Sequence, residues 1–329
     1  IGFIASHFTV KTQVQRTLLE NLYQQYKNDD VSVRIALRLA ENYKPGKTTI
    51  LPLVFNSQLP EYSFVEARDL CTEAIELHPN APFVNNCRNM VMRLEQPSFA
   101  VETEKRVLPG KPILAKVSFK NVTKLWFKIV KVDSKKVWLD ANNSMRDWER
   151  KSKYLSIPGI RSWEIDLPDT KDLQQHTTEI KIDGLPLGTY FIYTSLDNNF
   201  IESEHVGATI TTVTKLSFIT KPGENKTGIL VQNRESGVGM KGVSGDVFYF
   251  DYRRGERKIT SSGSFVTGDN GFTNYTPSTQ HHGYGSLVRL IKEGDTLYES
   301  TYLSHNRNGF VKPTTKIHLF TDRSIYRPG

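Results

Sequence analysis

Hydrophobic positions recur at helical spacing through the first 95 residues and alternate from residue 97 onward. Val14, Leu18, Leu22 and Tyr26 stand four apart and predict an amphipathic helix. Ile35, Ala36, Leu39, Ala40 and Tyr43 predict a second, closed by Lys44-Pro45-Gly46. Ser63-Phe64-Val65-Glu66 has the form of a capping box, in which the Ser oxygen and the Glu carboxylate satisfy orphan backbone N–H groups. The helix it opens turns Ala67, Leu70, Cys71, Ala74 and Ile75 inward and stops at His78-Pro79-Asn80. Pro82 suits the first turn of a further helix, with Val84, Cys87, Val91 and Leu94 as its inner face.

These last two helices read as an antiparallel hairpin. Cys71 lies seven residues before His78 and Cys87 five after Pro82. At a rise of about 1.5 Å per residue, both sit at a similar height above the turn, and both fall on the inward stripe. A disulfide fits this geometry if the Cα atoms come within about 7 Å. Two small buried thiols fit it as well.

The second part of the chain reads as all-β. Short alternating runs, Ile113–Phe119, Leu125–Val132, Thr178–Ile182 and Tyr190–Ser195, are rich in Val, Ile, Thr, Tyr and Phe. Leu108-Pro109-Gly110, Asp183-Gly184 and Leu187-Gly188 punctuate them, the pattern of a β-sandwich. The polar, charged and aromatic stretch from Asp140 to Ser156 predicts a long connection. A second β unit follows, with strands near Lys215–Thr220, Gly228–Asn233, Asp246–Asp251, Ser262–Thr267, Ser286–Lys292 and Thr296–Tyr302. Asp269-Asn270-Gly271 is a hairpin signal. Lys316–Thr321 begins another strand. The expected segments are therefore 1–95 helical, 96–213 a first sandwich, 214–315 a second, and 316–329 the start of a further domain. The fold class is mainly β with an N-terminal α-helical segment. Ala67–Pro79 resembles the second helix of a tetratricopeptide repeat, but no further repeat follows at a fixed period. The helices are expected to pack on the first sandwich instead.

Composition narrows the function classes. The chain has 329 residues, 38% hydrophobic and 24% charged, which is ordinary for a folded globular chain. The net charge of +8 is scattered among acids, as in Arg146-Asp147-Trp148-Glu149-Arg150-Lys151, so no nucleic-acid face is expected. No apolar run reaches the roughly 20 residues that span a bilayer. The chain starts without Met and ends on Arg327-Pro328-Gly329, where a turn begins. Both ends are expected to be cuts, with any leader or lipid anchor upstream.

No catalytic constellation is present in the sequence: no GxSxG, HExxH, phosphate loop or GxGxxG after a strand. No catalytic residue, cofactor or metal ligand is expected. His281 and His282 would point to opposite faces of a strand, which makes them poor co-ligands. Trp126, Phe127, Trp138, Trp148 and Trp163 suit either a carbohydrate platform or, more simply, a sandwich core. Asn121, Asn142, Asn225 and Asn274 stand in glycosylation sequons, for which chance suffices in a chain rich in Asn and Thr.

One run carries a family signature. Thr321-Asp322-Arg323-Ser324-Ile325-Tyr326-Arg327-Pro328-Gly329 resembles the opening of a macroglobulin domain in the alpha-2-macroglobulin family, T-D-[RK]-x-x-Y-[RK]-P-G between two strands. Pro-Gly suits the corner of a type II turn. Upstream, Val231-Gln232-Asn233-Arg234-Glu235-Ser236-Gly237, then Gly242-Val243, then Gly268-Asp269-Asn270-Gly271-Phe272 are similar to the Ig-like domain that precedes that motif in bacterial members. Lys124–Ile129, Ser162–Pro168 and Leu185–Tyr190 are similar to the domain before it. The resemblance covers most of residues 60–329 and is typical of the large Bacteroidetes-type members.

The resemblance implies the N-terminal framework of a bacterial endopeptidase inhibitor, a protease trap. It implies a periplasmic or cell-surface location with a lipid anchor upstream. Its partners would be proteases, met by the full-length protein, and neighbouring macroglobulin domains of the same chain, with no nucleic acid. The family thioester needs Cys-x-Glu-Gln. Cys71-Thr72-Glu73-Ala74 has no Gln amide to condense, so Cys71 is not expected to form one, and no bait segment is assigned. An adhesin or carbohydrate-binding sandwich is the alternative.

Overall fold

The computed structural model describes residues 11–42, 63–142, 145–201, 206–223, 226–253, 256–276, 286–301 and 303. The chain divides into two compact units between Val213 and Thr214. Both are mainly β, and the first also carries the helices.

Four helices open the first unit: α1 (Lys11–Gln25), α2 (Val31–Ala40), α3 (Ser63–Leu77) and α4 (Val84–Glu95). Their shared core is built largely from small side chains, among them Ala36, Ala40, Ala67, Cys71, Ala74 and Cys87. The buried face of α1 is Leu19 and Tyr23, one position on from the predicted stripe, and Tyr26 is exposed. The rotation follows from Tyr23, whose buried hydroxyl reaches the Glu73 carboxylate on α3 at 2.9 Å. On α4, Met90 joins Val84, Cys87 and Leu94 inside, while Val91 is only half-buried.

The first sandwich follows: β1 (Ser98–Thr103), β2 (Arg106–Val107), β3 (Ile113–Lys120), β4 (Lys124–Val132), β5 (Arg161–Asp166), β6 (His176–Ile182), β7 (Gly188–Ser195) and β8 (Gly207–Val213). One sheet has the order β1-β3-β6 and the other β2-β8-β7-β4-β5. Ile113, Ala115, Val117 and Phe119 from the first meet Leu125, Phe127, Ile129, Tyr190 and Ile192 from the second. The turns at Gly110 and Gly184, predicted separately, touch each other. A side chain on Gly184 would meet the Gly110 carbonyl carbon at 2.3 Å, so only glycine fits there.

The expected connection from Asp140 to Ser156 is instead largely helical, formed by α5 (Ser134–Asn142) and α6 (Asp147–Leu155). Asp133 Oδ1 accepts from the Lys136 amide at 2.9 Å, and Glu149, in the first turn of α6, reaches back to accept from the Arg146 amide at 2.8 Å, so a carboxylate satisfies a backbone amide at each start. The two helices cover the outer face of the five-stranded sheet, where Val137 and Tyr154 pack with Val130, Val132, Phe191, Tyr193 and Phe200. Tyr193 donates to the Lys151 carbonyl and Lys128 to that of Leu155, each at 2.8 Å. With both faces covered, β7 is buried along nearly its whole length. Its sequence is accordingly a continuous apolar and Thr-rich run rather than an alternation.

The second unit holds β9 (Leu216–Pro222), β10 (Thr227–Asn233), β11 (Ser244–Arg253), β12 (Glu256–Val266), β13 (Phe272–Tyr275), β14 (Ser286–Lys292) and β15 (Asp295–Thr301). A three-stranded sheet, β13-β10-β9, packs on a four-stranded one, β12-β11-β14-β15. The core between them includes Leu216, Ile229, Val231, Val247, Val288, Leu290 and Leu297. The Asp269-Asn270-Gly271 turn does not close a hairpin between paired strands, because β12 and β13 lie in different sheets. It is a crossover turn. No described helix is long and apolar enough to cross a membrane.

Candidate functional site

In the second unit, the residues singled out from sequence form one interlocked cluster of turns. Asn233 Oδ1 accepts from the amides of Glu235 (2.9 Å) and Ser236 (3.1 Å), which folds the chain back so that Asn233 N–H meets the Val238 carbonyl at 2.8 Å. Arg234 reaches across to donate to the Leu216 carbonyl at 2.9 Å. On the other side, Asn270 Oδ1 accepts from the Phe272 amide at 3.0 Å. The Gly271 carbonyl then accepts from the Val231 amide at 2.9 Å. Gly271 adopts φ +76° with the Val231 carbonyl 2.4 Å from where a Cβ would stand. Thr267 closes the cluster, accepting from the Val243 amide at 2.9 Å and donating to the Met240 carbonyl at 2.5 Å. These side chains serve backbone groups, so the cluster is a rigid joint rather than a reactive site.

In the first unit, Tyr190 plays a similar part. Its hydroxyl donates to the Pro186 carbonyl at 2.9 Å, which fixes the corner before β7.

A second feature was not visible from sequence. Asp172, in the loop between β5 and β6, and His176, the first residue of β6, are both almost fully buried. His176 Nε2 lies 2.9 and 2.8 Å from the two Asp172 oxygens. Oδ1 also accepts from Thr170 Oγ1 at 3.0 Å and from the Gln174 amide at 3.1 Å. Burial on its own would raise the Asp172 pKa, but the bonds from His176, the Gln174 amide and Thr170 outweigh it and hold the carboxyl below its usual range. Lys171 and Leu173, on either side of Asp172, have φ of 53° and 58°, a left-handed conformation that costs a non-glycine residue about 1 kcal/mol each. Between them the carboxylate is locked in place, and Leu173 reaches into the core of the four helices. The helices are tied to the sandwich at two further points. Lys120 Nζ donates to the Arg93 carbonyl at 2.8 Å, and Asn121 Nδ2 donates to the carbonyls of Leu94 (2.8 Å) and Glu95 (3.0 Å). Asn121 itself sits at φ 53°, which Asn tolerates better than most residues. The sequon at Asn121 is therefore occupied by a structural amide.

Cys71 and Cys87 are fully buried free thiols in the helical core. The hydrogen bond with Cys87, followed by burial, pushes the Cys71 pKa up. Cys87 Sγ also lies 3.7 Å from the Val33 carbonyl.

The aromatic candidates separate. Phe127 and Trp138 are buried. Trp163 stacks on Phe127 with centroids 5.0 Å apart, on the core side of the sheet. Trp126 lies on the other face of β4, beside an open cleft of about 340 Å³ whose lining includes Lys128, Ser162, Asn198, Asn199 and Phe200. The side chain of Trp148, the pair His281-His282, and Asn225 lie outside the described residues, as do Thr321, Asp322, Arg323, Tyr326, Arg327, Pro328 and Gly329. Among the described residues no three His, Cys, Asp or Glu side chains converge as a metal site would require.

No protein-family model and no curated protein matches the chain. Among solved structures, a fragment of native alpha-2-macroglobulin from Escherichia coli aligns at 15% identity and a TM-score of 0.44, over 62% of this chain and 64% of that one. The chain thus spans about 64% of that structure's length. A shorter fragment of the same Escherichia coli protein aligns at 16% identity and a TM-score of 0.42, over 62% of this chain and 97% of that one. The CARDB domain of a Pyrococcus furiosus protein, in complex with di-metal ions, aligns at 13% identity and a TM-score of 0.22, over 36% of this chain and 87% of that one.

Proposed function

We propose that this chain is part of the framework of an alpha-2-macroglobulin-like endopeptidase inhibitor, a trap that a protease springs by cutting a bait segment elsewhere in the parent protein. The observation that carries the reading is the run Thr321-Asp322-Arg323-Ser324-Ile325-Tyr326-Arg327-Pro328-Gly329, which follows a sandwich bearing the Asn233–Gly237 and Gly268–Phe272 motifs of the same family. Rigidity of that sandwich supports it. A trap that collapses around its target needs domains that move as bodies, and the interlocked turns suit such a body. The chain supplies no thioester of its own. Cys71-Thr72-Glu73-Ala74 lacks the Gln, and the Glu73 carboxylate is already engaged by Tyr23 and Lys27. On this reading the parent works outside the cytoplasm, held to a membrane by a lipid upstream.

The test uses the full-length parent incubated with trypsin or elastase. A trap lowers cleavage of a large protein substrate while cleavage of a small peptide persists. Equal activity on both, with and without the parent, rejects the inhibitor.

The cleft beside Trp126 favours a second reading, a saccharide-binding module. The amides of Asn198 and Asn199 and the Ser162 hydroxyl line it with the donors and acceptors that sugar hydroxyls use. Glycan binding that is lost in Trp126→Ala would bring this reading forward.

A further inference from the structure

We propose that Cys71 and Cys87 are joined as a disulfide when the protein matures, clasping α3 to α4. Three observations converge. The two thiols lie in the same helical core, one on α3 and one on α4, and both are at zero exposure. Ala67 and Ala74 flank Cys71 on the buried face of α3, and side chains this small let two helix axes approach closely enough for a short covalent bridge. These are the only two cysteines in the 329 residues, so within them just one pairing exists.

The chemistry is thiol–disulfide exchange with a disulfide-bearing oxidase. One cysteine thiolate attacks a sulfur of the oxidase disulfide, forming a mixed disulfide and releasing one oxidase thiolate. The second cysteine, deprotonated, then attacks the first cysteine's sulfur. The Sγ–Sγ bond forms and the second oxidase thiolate leaves. Two protons and two electrons pass from the pair to the oxidase, which departs as a dithiol. Because both thiols are sealed in the folded core, exchange takes place while the hairpin is still closing. The supply of that oxidant rests on the extracytoplasmic location proposed above, whereas the shared burial of the two thiols in one core does not.

The experiment takes the 329-residue chain in two forms, exported to a bacterial periplasm and refolded in a glutathione redox buffer. Each is unfolded in guanidinium with a maleimide, and its intact mass is measured. The expected mass is 2 Da below the dithiol with no maleimide added, in both forms. Two maleimides on the refolded chain overturn the clasp. A bridge in the refolded chain but none in the exported one overturns its formation during maturation. Oxidised protein is expected to melt roughly 5–10 °C above the reduced form, followed by helical circular dichroism. A Cys71→Ala, Cys87→Ala variant is expected to be indifferent to reductant. A bridge that lowers the midpoint also overturns the proposal. A negative trapping assay on the parent leaves these masses unchanged, so the two readings fail separately.

Discussion

Replacing Asp172 by alanine tests whether the buried carboxylate holds the loop that ties helices to sandwich. The substitution removes the partner of His176 Nε2, of the Gln174 amide and of the Thr170 hydroxyl together. Breaking a buried, hydrogen-bonded pair by removing one side costs about 3–5 kcal/mol. Asp172→Asn keeps an oxygen for Gln174 and Thr170 but presents an N–H₂ to His176 or misaligns one bond, and is expected to cost about 1–3 kcal/mol. The assay is urea unfolding followed by tryptophan fluorescence. All four tryptophans (126, 138, 148 and 163) lie in the first unit, so the signal reports that unit alone. The dependence on pH has a fixed sign. The folded carboxyl has a lowered pKa, so the unfolded chain takes up this proton first, near pH 3.9. The carboxylate's contribution is therefore complete above about pH 5 and is lost as pH falls through the folded value. The gap between wild type and Asp172→Asn should narrow as pH falls below about 4. A cost under 1 kcal/mol for Asp172→Ala, or a gap that does not narrow in acid, refutes the account.

Asn121→Ala leaves the Leu94 and Glu95 carbonyls without their donor and puts Ala at positive φ. It should lower first-unit stability by about 2–3 kcal/mol in the same assay. Gly271→Ala places a methyl against the Val231 carbonyl at φ +76° and is expected to abolish hydrogen-exchange protection at the Val231 and Val243 amides. Tyr275, buried and pushed up to about 12, should titrate late in an alkaline absorbance scan together with the buried Tyr23, Tyr154, Tyr190 and Tyr193, and Tyr275→Phe should lower the amplitude of that late phase by one tyrosine.

Periodicity reported element type well where one face of an element is buried, as in β3 and α3. It failed where a specific polar bond sets the orientation: α1 turns by one residue because Tyr23 needs Glu73. It also failed where short helices are set by their caps. The run from Ser134 to Leu155 looks polar because only one narrow face, carrying Val137 and Tyr154, meets the sheet. Strand pairing is a further step that local pattern does not contain. Asp269-Asn270-Gly271 was legible as a turn, but which sheet β13 enters depends on the Val231–Gly271 bond, between residues forty positions apart.

The Asp172–His176 pair marks the limit more sharply. In a sequence, an acid four residues before a histidine suggests one helix face. Here the same spacing runs from a loop into the first residue of β6, and Lys171 and Leu173 on either side of the acid both take left-handed backbone. Nothing in those two side chains favours that conformation, so no local rule could find it. What makes it tolerable is supplied from outside the loop: the helical core that receives Leu173, and the β6 strand that presents His176. If that is right, removing the helical receptor should release the loop as surely as removing the carboxylate. Truncating Leu173 to alanine and mutating Asp172 would then combine to less than the sum of their separate costs, since either change alone already frees the two strained residues.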